Sequence, residues 1–145
     1  MTLTIVPARG ELLDQWREVH NRCVAPTQLT ADDVAERAFR HSLTVGYVDG
    51  VLVANATVRA PEDGGVVTVI VRVLPEHRRR GLASEYLGAL LRQTRASRFE
   101  QIKTVILADN VGGLNFAVHH GFVETSRHEV DGVAFVDLTL RDATV

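Results

Sequence analysis

An apolar strand that runs into a basic loop and then an amphipathic helix constrains this chain more than any other segment. Val66–Val73 is almost continuously β-branched, as expected of a strand covered on both faces. Pro75 ends that strand, and residues 78–81 read Arg-Arg-Arg-Gly. From Leu82 the apolar residues recur at helical spacing, so the sequence predicts a helix over Gly81–Ser97.

The junction between this strand and helix has the composition of an anion-binding site. The first amide hydrogens of a helix have no intrahelical partner, and the aligned peptide dipoles make that end partly positive. Gly81 lets the backbone approach a ligand, and Ala83 keeps the approach clear. The same dipole disfavours three arginines unless an anion lies among them, so we prefer an anion site to a merely solvated cluster. A Walker loop is excluded because the Gly-Lys-Ser/Thr ending is absent.

Length and composition predict a single globular domain over residues 1–145. The chain is 46% hydrophobic and 23% charged, and its net charge of −2 argues against a general polyanion binder. Its apolar runs fall short of the roughly 20 residues that cross a bilayer. The lone Cys23 cannot form an internal disulfide, and residues 1–7 lack the basic start of a signal peptide, so we expect the cytoplasm.

The remaining periodicities predict an α/β domain with a mixed sheet. Asp-Gly pairs at residues 49–50 and 131–132 indicate tight hairpin turns. In the last strand, alternation predicts Ala134 and Val136 inward and Asp137 outward. The other predicted elements are a strand at Leu3–Val6, a helix through Leu12 and Val19, a helix opened by Thr30, strands at Leu43–Val48, Val51–Val58 and Val105–Ala108, a helix at Val111–His120, and strands at Phe122–Val130 and Val133–Leu140.

Two motifs on these elements resemble those of the GNAT superfamily of acetyl-CoA-dependent acyltransferases. Residues 78–83, Arg-Arg-Arg-Gly-Leu-Ala, match the family's pyrophosphate loop: Gln or Arg, two residues, Gly, one residue, Gly or Ala. Asn110, followed after a helix by Gly121-Phe122, matches the second signature. The resemblance extends over essentially the whole chain. It implies a mixed, mostly antiparallel sheet of about seven strands flanked by about four helices.

The resemblance also implies where the cosubstrate acetyl-CoA binds. The strand ending at Val73 would splay from the strand at Val105–Ala108, and the pantetheine arm would lie in the gap. The pyrophosphate would contact backbone amides of the loop. The implied contact residues are Val71, Val73, Arg78, Arg79, Arg80, Gly81, Leu82, Ala83, Ser84 and Asn110.

Asn110 precedes the predicted helix at Val111 and so fits two compatible roles. It could bond the pantetheine, as the resemblance implies, or cap the helix, a position that asparagine fills well. Gly112 and Gly113 follow at a cost in helix stability relative to alanine. We interpret them as marking a close approach by the cofactor or by another backbone segment.

The sequence departs from the family pattern at the proton-transfer groups. Many members carry a tyrosine four residues before the Gly-Phe pair, where its hydroxyl can protonate the departing thiolate, but this position is Ala117. The strand at Val66–Val73 also lacks the glutamate that often serves as base. The catalytic residues therefore stay unassigned. We expect catalysis to depend on proximity and on a backbone amide such as that of Val73, with protons moved by water or an untypical side chain.

Other polar residues have ordinary explanations. Cys23 is expected to be a small buried hydrophobe rather than a nucleophile. The adjacent His119 and His120 cannot share one helical face, so we expect no metal pair. Surface solvation is the simpler explanation for three residues near the connection that covers the acceptor pocket in relatives: His20, Asn21 and Gln28.

The residues and the resemblance together predict an N-acetyltransferase that moves an acetyl group from acetyl-CoA to a primary amine by direct attack in a ternary complex. The missing tyrosine and glutamate keep a second class open, a non-catalytic acyl-CoA-binding or sensing module. A nucleic-acid binder is disfavoured because one basic loop is not an extended basic stripe. The acceptor amine and the oligomeric state stay open, a homodimer included.

Overall fold

A computed structural model describes residues 2–97 and 99–141 of the chain. The strands are β1 (Leu3–Pro7), β2 (Ser42–Val48), β3 (Val51–Val58), β4 (Val66–Val73), β5 (Gln101–Leu107), β6 (Phe122–Val130) and β7 (Val133–Leu140). The helices are α1 (Leu12–Cys23), α2 (Ala31–Arg40), α3 (Leu82–Arg95) and α4 (Val111–His119), with a 3₁₀ turn at Pro75–His77. Among the described residues, no helix is both long and apolar enough to cross a membrane.

Within the described residues the strands form one seven-stranded sheet in the order β1-β2-β3-β4-β5-β7-β6. The pairing of β4 with β5 is parallel, and the other pairs are antiparallel. The predicted mixed, mostly antiparallel sheet with four flanking helices is therefore confirmed.

The apolar core lies in two clusters. The larger one joins α3 and α4 to the sheet around Tyr86, and the smaller one surrounds Trp16 of α1. Tyr86 needs a glycine opposite it, because a Cβ on Gly46 would lie 3.0 Å from the ring. Trp16 is held by its indole N–H, which donates to the Ala56 carbonyl at 3.0 Å. These contacts fix α3 against β2 and α1 against β3, and β3 in turn pairs with β4, the strand that borders the site.

Several predicted boundaries differ from the structure. β5 begins at Gln101 rather than Val105. A polar residue in its first half has a partner in the sheet, since the Lys103 ammonium lies 3.8 Å from an Asp137 carboxylate oxygen. The helix predicted to end at Ser97 ends at Arg95. The short turn at Pro75–His77 was not anticipated, and it sets the path by which β4 reaches the arginine loop.

The predicted alternation in β7 is wrong at two positions. Asp137 does lie on the sheet face opposite Val136, but it is buried, with 7% of its surface exposed. Hydrogen bonds to Ser126 and His128 compensate for that burial. Ala134, predicted inward, is exposed next to the hairpin turn.

Candidate active site

A gap between β4 and β5 forms the centre of the site. The two strands pair over Val66–Thr68 and Gln101–Lys103, and in the described chain that pairing stops there. Both strands nevertheless continue, β4 to Val73 and β5 to Leu107. This divergence is the splay that the resemblance implied.

Every second residue of β4 directs its backbone N–H and C=O groups into this gap. Leu74 N–H donates to the Val53 carbonyl at 2.8 Å, and Arg59 N–H donates to the Thr68 carbonyl at 2.9 Å. Because hydrogen-bonded and non-hydrogen-bonded pairs alternate along an antiparallel ladder, Val71 and Val73 are of the second kind. Their N–H and C=O groups therefore point away from β3 and towards the gap.

The loop after β4 presents a series of backbone donors. Arg79 and Gly81 have positive φ angles of 64° and 75°. The helical hydrogen bonding of α3 begins with Glu85 N–H donating to the Gly81 carbonyl at 3.1 Å, and no side chain caps the helix. Within the described residues, the N–H groups of residues 79–84 have no acceptor. Six consecutive free donors at the positive end of a helix suit an anion such as a pyrophosphate.

A cavity of about 800 Å³ connects this loop with the gap and with the side of the sheet that faces α1 and α2. Nine of the ten sequence-predicted contact residues line it: Val71, Val73, Arg78, Arg79, Gly81, Leu82, Ala83, Ser84 and Asn110. Arg80 does not, and its exposed guanidinium instead lies 3.5 Å from the Nδ1 atom of His77. The Arg78 Nε atom donates to the Val73 carbonyl at 2.9 Å and so fixes the end of β4.

Asn110 is the N-cap of α4. Its Oδ1 atom accepts from Gly113 N–H at 3.0 Å, while its exposed side chain also lines the cavity. A Cβ on Gly113 would lie 2.5 Å from the Asn110 Nδ2 atom, so a larger residue there would displace the capping side chain. The close approach found at this glycine is made by the capping side chain, whereas the sequence interpretation named the cofactor or another backbone segment. Gly112 meets Asn110 at 3.9 Å, an ordinary contact.

A histidine and an aspartate that the sequence did not single out form a hydrogen-bonded pair at the far side of the cavity. The Nδ1 atom of His128 lies 2.8 Å from an Asp137 carboxylate oxygen, and both His128 and the stacked Phe135 line the cavity. Burial raises the pKa of Asp137, but hydrogen bonds from His128 and Ser126 outweigh it and leave the pKa below its ordinary value. A carboxylate in this position orients the ring, so that Nε2 is left for the cavity.

Comparison with known proteins assigns the family. The profile of the Acetyltransferase (GNAT) family matches residues 7–122, which is most of the 145-residue chain. The chain belongs to the GNAT acetyltransferase family. GNAT acetyltransferases are acyltransferases that use acetyl-CoA. Comparison with curated protein sequences finds no match.

Solved structures share the GNAT fold along nearly their whole length. Ard1 from Thermoplasma volcanium has a TM-score of 0.82 at 16% identity, covering 98% of this chain and 100% of Ard1. The ribosomal-protein-S18-alanine N-acetyltransferase from Escherichia coli has a TM-score of 0.79 at 18% identity, covering 96% and 93%. For yncA from Salmonella typhimurium with its cofactor acetyl-CoA, the TM-score is 0.76 at 20% identity, covering 97% and 94%. These likenesses concern the fold.

The family's usual general acid is absent from the described lining of this GNAT cavity. Ala117 occupies the tyrosine position and is buried against the core, and the lining contains no tyrosine. The neighbouring His119 and His120 do not line the cavity either. His120 lies near the start of α3 instead, with its Nε2 atom 2.9 Å from the Ser84 hydroxyl.

The connection between α1 and α2 covers the other end of the GNAT cavity, and surface solvation is the wrong explanation for two residues beside it, in the last turns of α1. His20 is 4% exposed, and burial, followed by the charge of Arg72, lowers its pKa to about 4. The Asn21 side chain holds the connection in place through two hydrogen bonds to Leu29. Its Nδ2 atom donates to the Leu29 carbonyl at 3.0 Å, and its Oδ1 atom accepts from Leu29 N–H at 2.9 Å. Gln28, which is exposed, donates to the carbonyl of Asn21 in the last turn of α1 and to that of Ala25 in the connection.

Cys23 is half-buried and lines the cavity, where its thiol lies 3.5 Å from the Val73 carbonyl. Burial raises the pKa of this thiol, against the smaller opposing effect of Arg78. A protonated thiol is a poor nucleophile, so its position gives Cys23 no role in acyl transfer.

Proposed function

We propose that this GNAT chain, as a single domain over residues 1–145, transfers the acetyl group of acetyl-CoA to a primary amine by direct attack in a ternary complex. The observation that carries the proposal is the continuity of the cavity. The same space borders the donor-rich loop, the gap beside β4 and the covered region under the α1–α2 connection. A cosubstrate and an acceptor can therefore meet at the end of β4. The family and the lone, protonated thiol of Cys23 suit the reducing cytoplasm.

The loop and the gap would hold acetyl-CoA between them. The N–H groups of residues 79–84 would bind the pyrophosphate, with the Arg78 and Arg79 side chains beside it. Backbone groups of Val71 and Val73 would bond the pantetheine. The Nδ2 atom of Asn110 has no acceptor among the described residues, so it can donate to the pantetheine while Oδ1 caps α4.

For the chemistry, the neutral amine attacks the acetyl carbonyl, a C–N bond forms, and the C–S bond breaks as the thiolate leaves. The N–H of Val73, which points into the gap, polarises the carbonyl. We assign the amine's proton to the Nε2 atom of His128, because Asp137 orients that ring and stabilises it once it is charged. Water protonates the thiolate, since position 117 carries no hydroxyl.

Acetyl-CoA binding is the first test. At one hundred times the dissociation constant, linkage gives about 2.7 kcal/mol, a rise in melting temperature of roughly 5 to 10 °C for a domain of this size. Gly81→Asp should abolish the shift, because it places a carboxylate where the pyrophosphate approaches. It should cost the apo fold about 1 to 2 kcal/mol, since Gly81 has a positive φ. Arg79→Ala is the matched control and should weaken binding modestly, because the amides remain.

Turnover with a panel of amines then separates the two classes of function. Thiol release that depends on an amine supports the transferase. Binding of acetyl-CoA without turnover of any amine would favour an acyl-CoA-binding module, which the missing tyrosine also suits. No melting shift at millimolar acetyl-CoA would contradict both.

A further inference from the structure

The charge of the cavity lining is unlike that of the whole chain. The chain has 18 acidic and 16 basic residues, yet the described lining contains five arginines and no aspartate or glutamate. Arg78 and Arg79 belong to the loop after β4. The other three come from separate elements: Arg37 from α2, Arg59 from the end of β3, and Arg72 from β4. We call these three the arginine cluster.

The arginine cluster lies away from the cosubstrate loop. Along β4, Val69, Val71 and Val73 face the core cluster that contains α3, so Arg72 projects from the opposite face. Its guanidinium carbon lies 5.5 Å from the ring centre of Trp16 in α1. The cluster therefore borders the part of the cavity under α1 and α2, where the acceptor would enter.

The arginine cluster has no carboxylate partner within 4.0 Å in the part of the chain that the structure describes. Other arginines do find such partners: Arg22 pairs with Glu76 at 2.8 Å, and Arg40 with Glu36 at 3.2 Å. Arg72 is instead held by neutral groups, donating to the Asn55 Oδ1 atom at 3.2 Å and to the Thr57 hydroxyl at 3.4 Å. These bonds fix its guanidinium without neutralising it.

Burial is the main cause that lowers the pKa of each arginine in the cluster, and charge repulsion from other arginines adds to it. Arg72 is affected most, with a pKa of about 10. Glu62 and Asp137 offset part of the effect at Arg59, and Asp33 and Glu36 offset part of it at Arg37. Desolvated cations held close together are costly unless an anion joins them.

We infer that the acceptor is a small amine that also carries a carboxylate, as a free amino acid does, and that Arg37, Arg59 and Arg72 bind this carboxylate. This inference rests on the proposed transferase function and names its substrate class. Guanidinium groups match the geometry of a carboxylate and bind it through paired N–H donors. The same positive field disfavours the ammonium form of the acceptor, so it favours the neutral amine that must attack.

Matched acceptors test the inference. The probes are the L-amino acids, their carboxamides and the corresponding decarboxylated amines, each assayed for thiol release with saturating acetyl-CoA. We expect the best amino acid to exceed its amide and its amine by about 100-fold or more in kcat/KM. An amide or simple amine that reacts as well as the amino acid would overturn the inference while leaving the transferase intact. A phosphonate analogue that outperforms the carboxylate would overturn the choice of anion.

Substitutions in α2 test whether Arg37 binds the carboxylate of the acceptor. Arg37→Gln should raise KM for the amino acid about 10- to 100-fold with a much smaller change in kcat, because it removes a ground-state contact. Arg40→Gln is the matched control on the same helix and should leave KM unchanged, because Arg40 pairs with Glu36 outside the cavity. An unchanged KM in Arg37→Gln would contradict the assignment.

A binding measurement keeps this inference separable from the proposed function. N-acetyl-L-amino acids, the expected products, are added one at a time, and the melting temperature is read for the wild type and for Arg37→Gln. At least one should stabilise the wild type and not the variant, and the matching N-acetyl amides should stabilise neither. If none stabilises the wild type and no amino acid reacts, the inference is wrong whether or not acetyl-CoA binds. The acetyl-CoA shift alone then decides the proposed function.

Discussion

His20 makes the stability of this protein depend on pH in a direction that the structure determines. Its ring is buried, stacks on Trp16 at 5.5 Å between ring centres, and lies within 3.1 Å of the Asn21 side-chain oxygen. Burial, then the positive charge of Arg72, lowers its pKa from 6.5 to about 4. A histidine that is kept neutral by folding contributes stability above its unfolded pKa and loses that contribution as the pH falls from 6.5 towards 4.

The size of the effect follows from these two values. At pH 5 the unfolded ring is almost fully protonated and the folded ring is mostly neutral, so folding must expel a proton. The linkage relation gives a loss of about 2 kcal/mol in unfolding free energy between pH 7 and pH 5 from this residue alone. That loss is a large fraction of a typical domain's stability.

Urea unfolding at pH 7 and pH 5, followed by the fluorescence of the single tryptophan, measures this loss. His20→Gln keeps a polar side chain without a titrating ring, and the other groups titrate equally in both proteins. The wild type should therefore lose about 2 kcal/mol more than His20→Gln over this interval. His119→Gln, which removes an exposed histidine, is the matched control. Equal losses in the wild type and His20→Gln would show that His20 is protonated in the folded state and would refute the reasoning.

Two further predictions concern proton transfer and the cap of α4. His128→Gln should lower kcat with the best acceptor by about 10²- to 10⁴-fold, as expected for loss of a general base, whereas His119→Ala, outside the cavity, should leave kcat unchanged in the same steady-state assay. If His128→Gln keeps the wild-type kcat, His128 is not the general base, and water must accept the amine's proton. Gly112→Ala should raise the unfolding free energy by roughly 0.5 to 1 kcal/mol through helix propensity, whereas Gly113→Ala should show no gain, because displacement of the Asn110 cap costs about 1 kcal/mol and offsets the same propensity term. Urea titrations of the pair check this, and equal effects would contradict it.

Local patterns were sufficient to predict the strand, basic loop and helix start that the structure shows at residues 66–84. The loop at residues 78–83 is contiguous, and the strand before it and the helix after it have periodicities that are visible within a few residues. The splay of β4 from β5 came from the family resemblance, since no periodicity encodes it. At Gly113 the sequence indicated a close approach by the cofactor or by another backbone segment, but the group found there is the Asn110 side chain, which folds back over the first turn of α4.

The proposed acceptor side could not be predicted because its residues are brought together by the sheet. His128 contacts Asp137 across the β6–β7 hairpin, and a bulge between Glu124 and Ser126 shifts the register between the two strands. Alternation places Asp137 on the correct face, but it cannot show that Ser126 and His128 of β6 contact the carboxylate there. The arginine cluster is harder still, because Arg37, Arg59 and Arg72 are spread over three elements, and nothing in their local sequence distinguishes them from solvated arginines.

In the proposed function, the alternation of β4 lets one strand contact both substrates. The N–H and C=O groups of Val71 and Val73 point along the sheet into the gap, where acetyl-CoA would lie, whereas the Arg72 side chain leaves the sheet towards α1. Backbone donors cannot be changed by substitution, so the cosubstrate contacts of β4 are insensitive to its side chains. The inferred acceptor contacts also depend on side chains from α2 and from the end of β3. Acceptor specificity can therefore change through Arg37 and Arg59 without altering the strand that binds acetyl-CoA, which suits a fold that is used with many different amines.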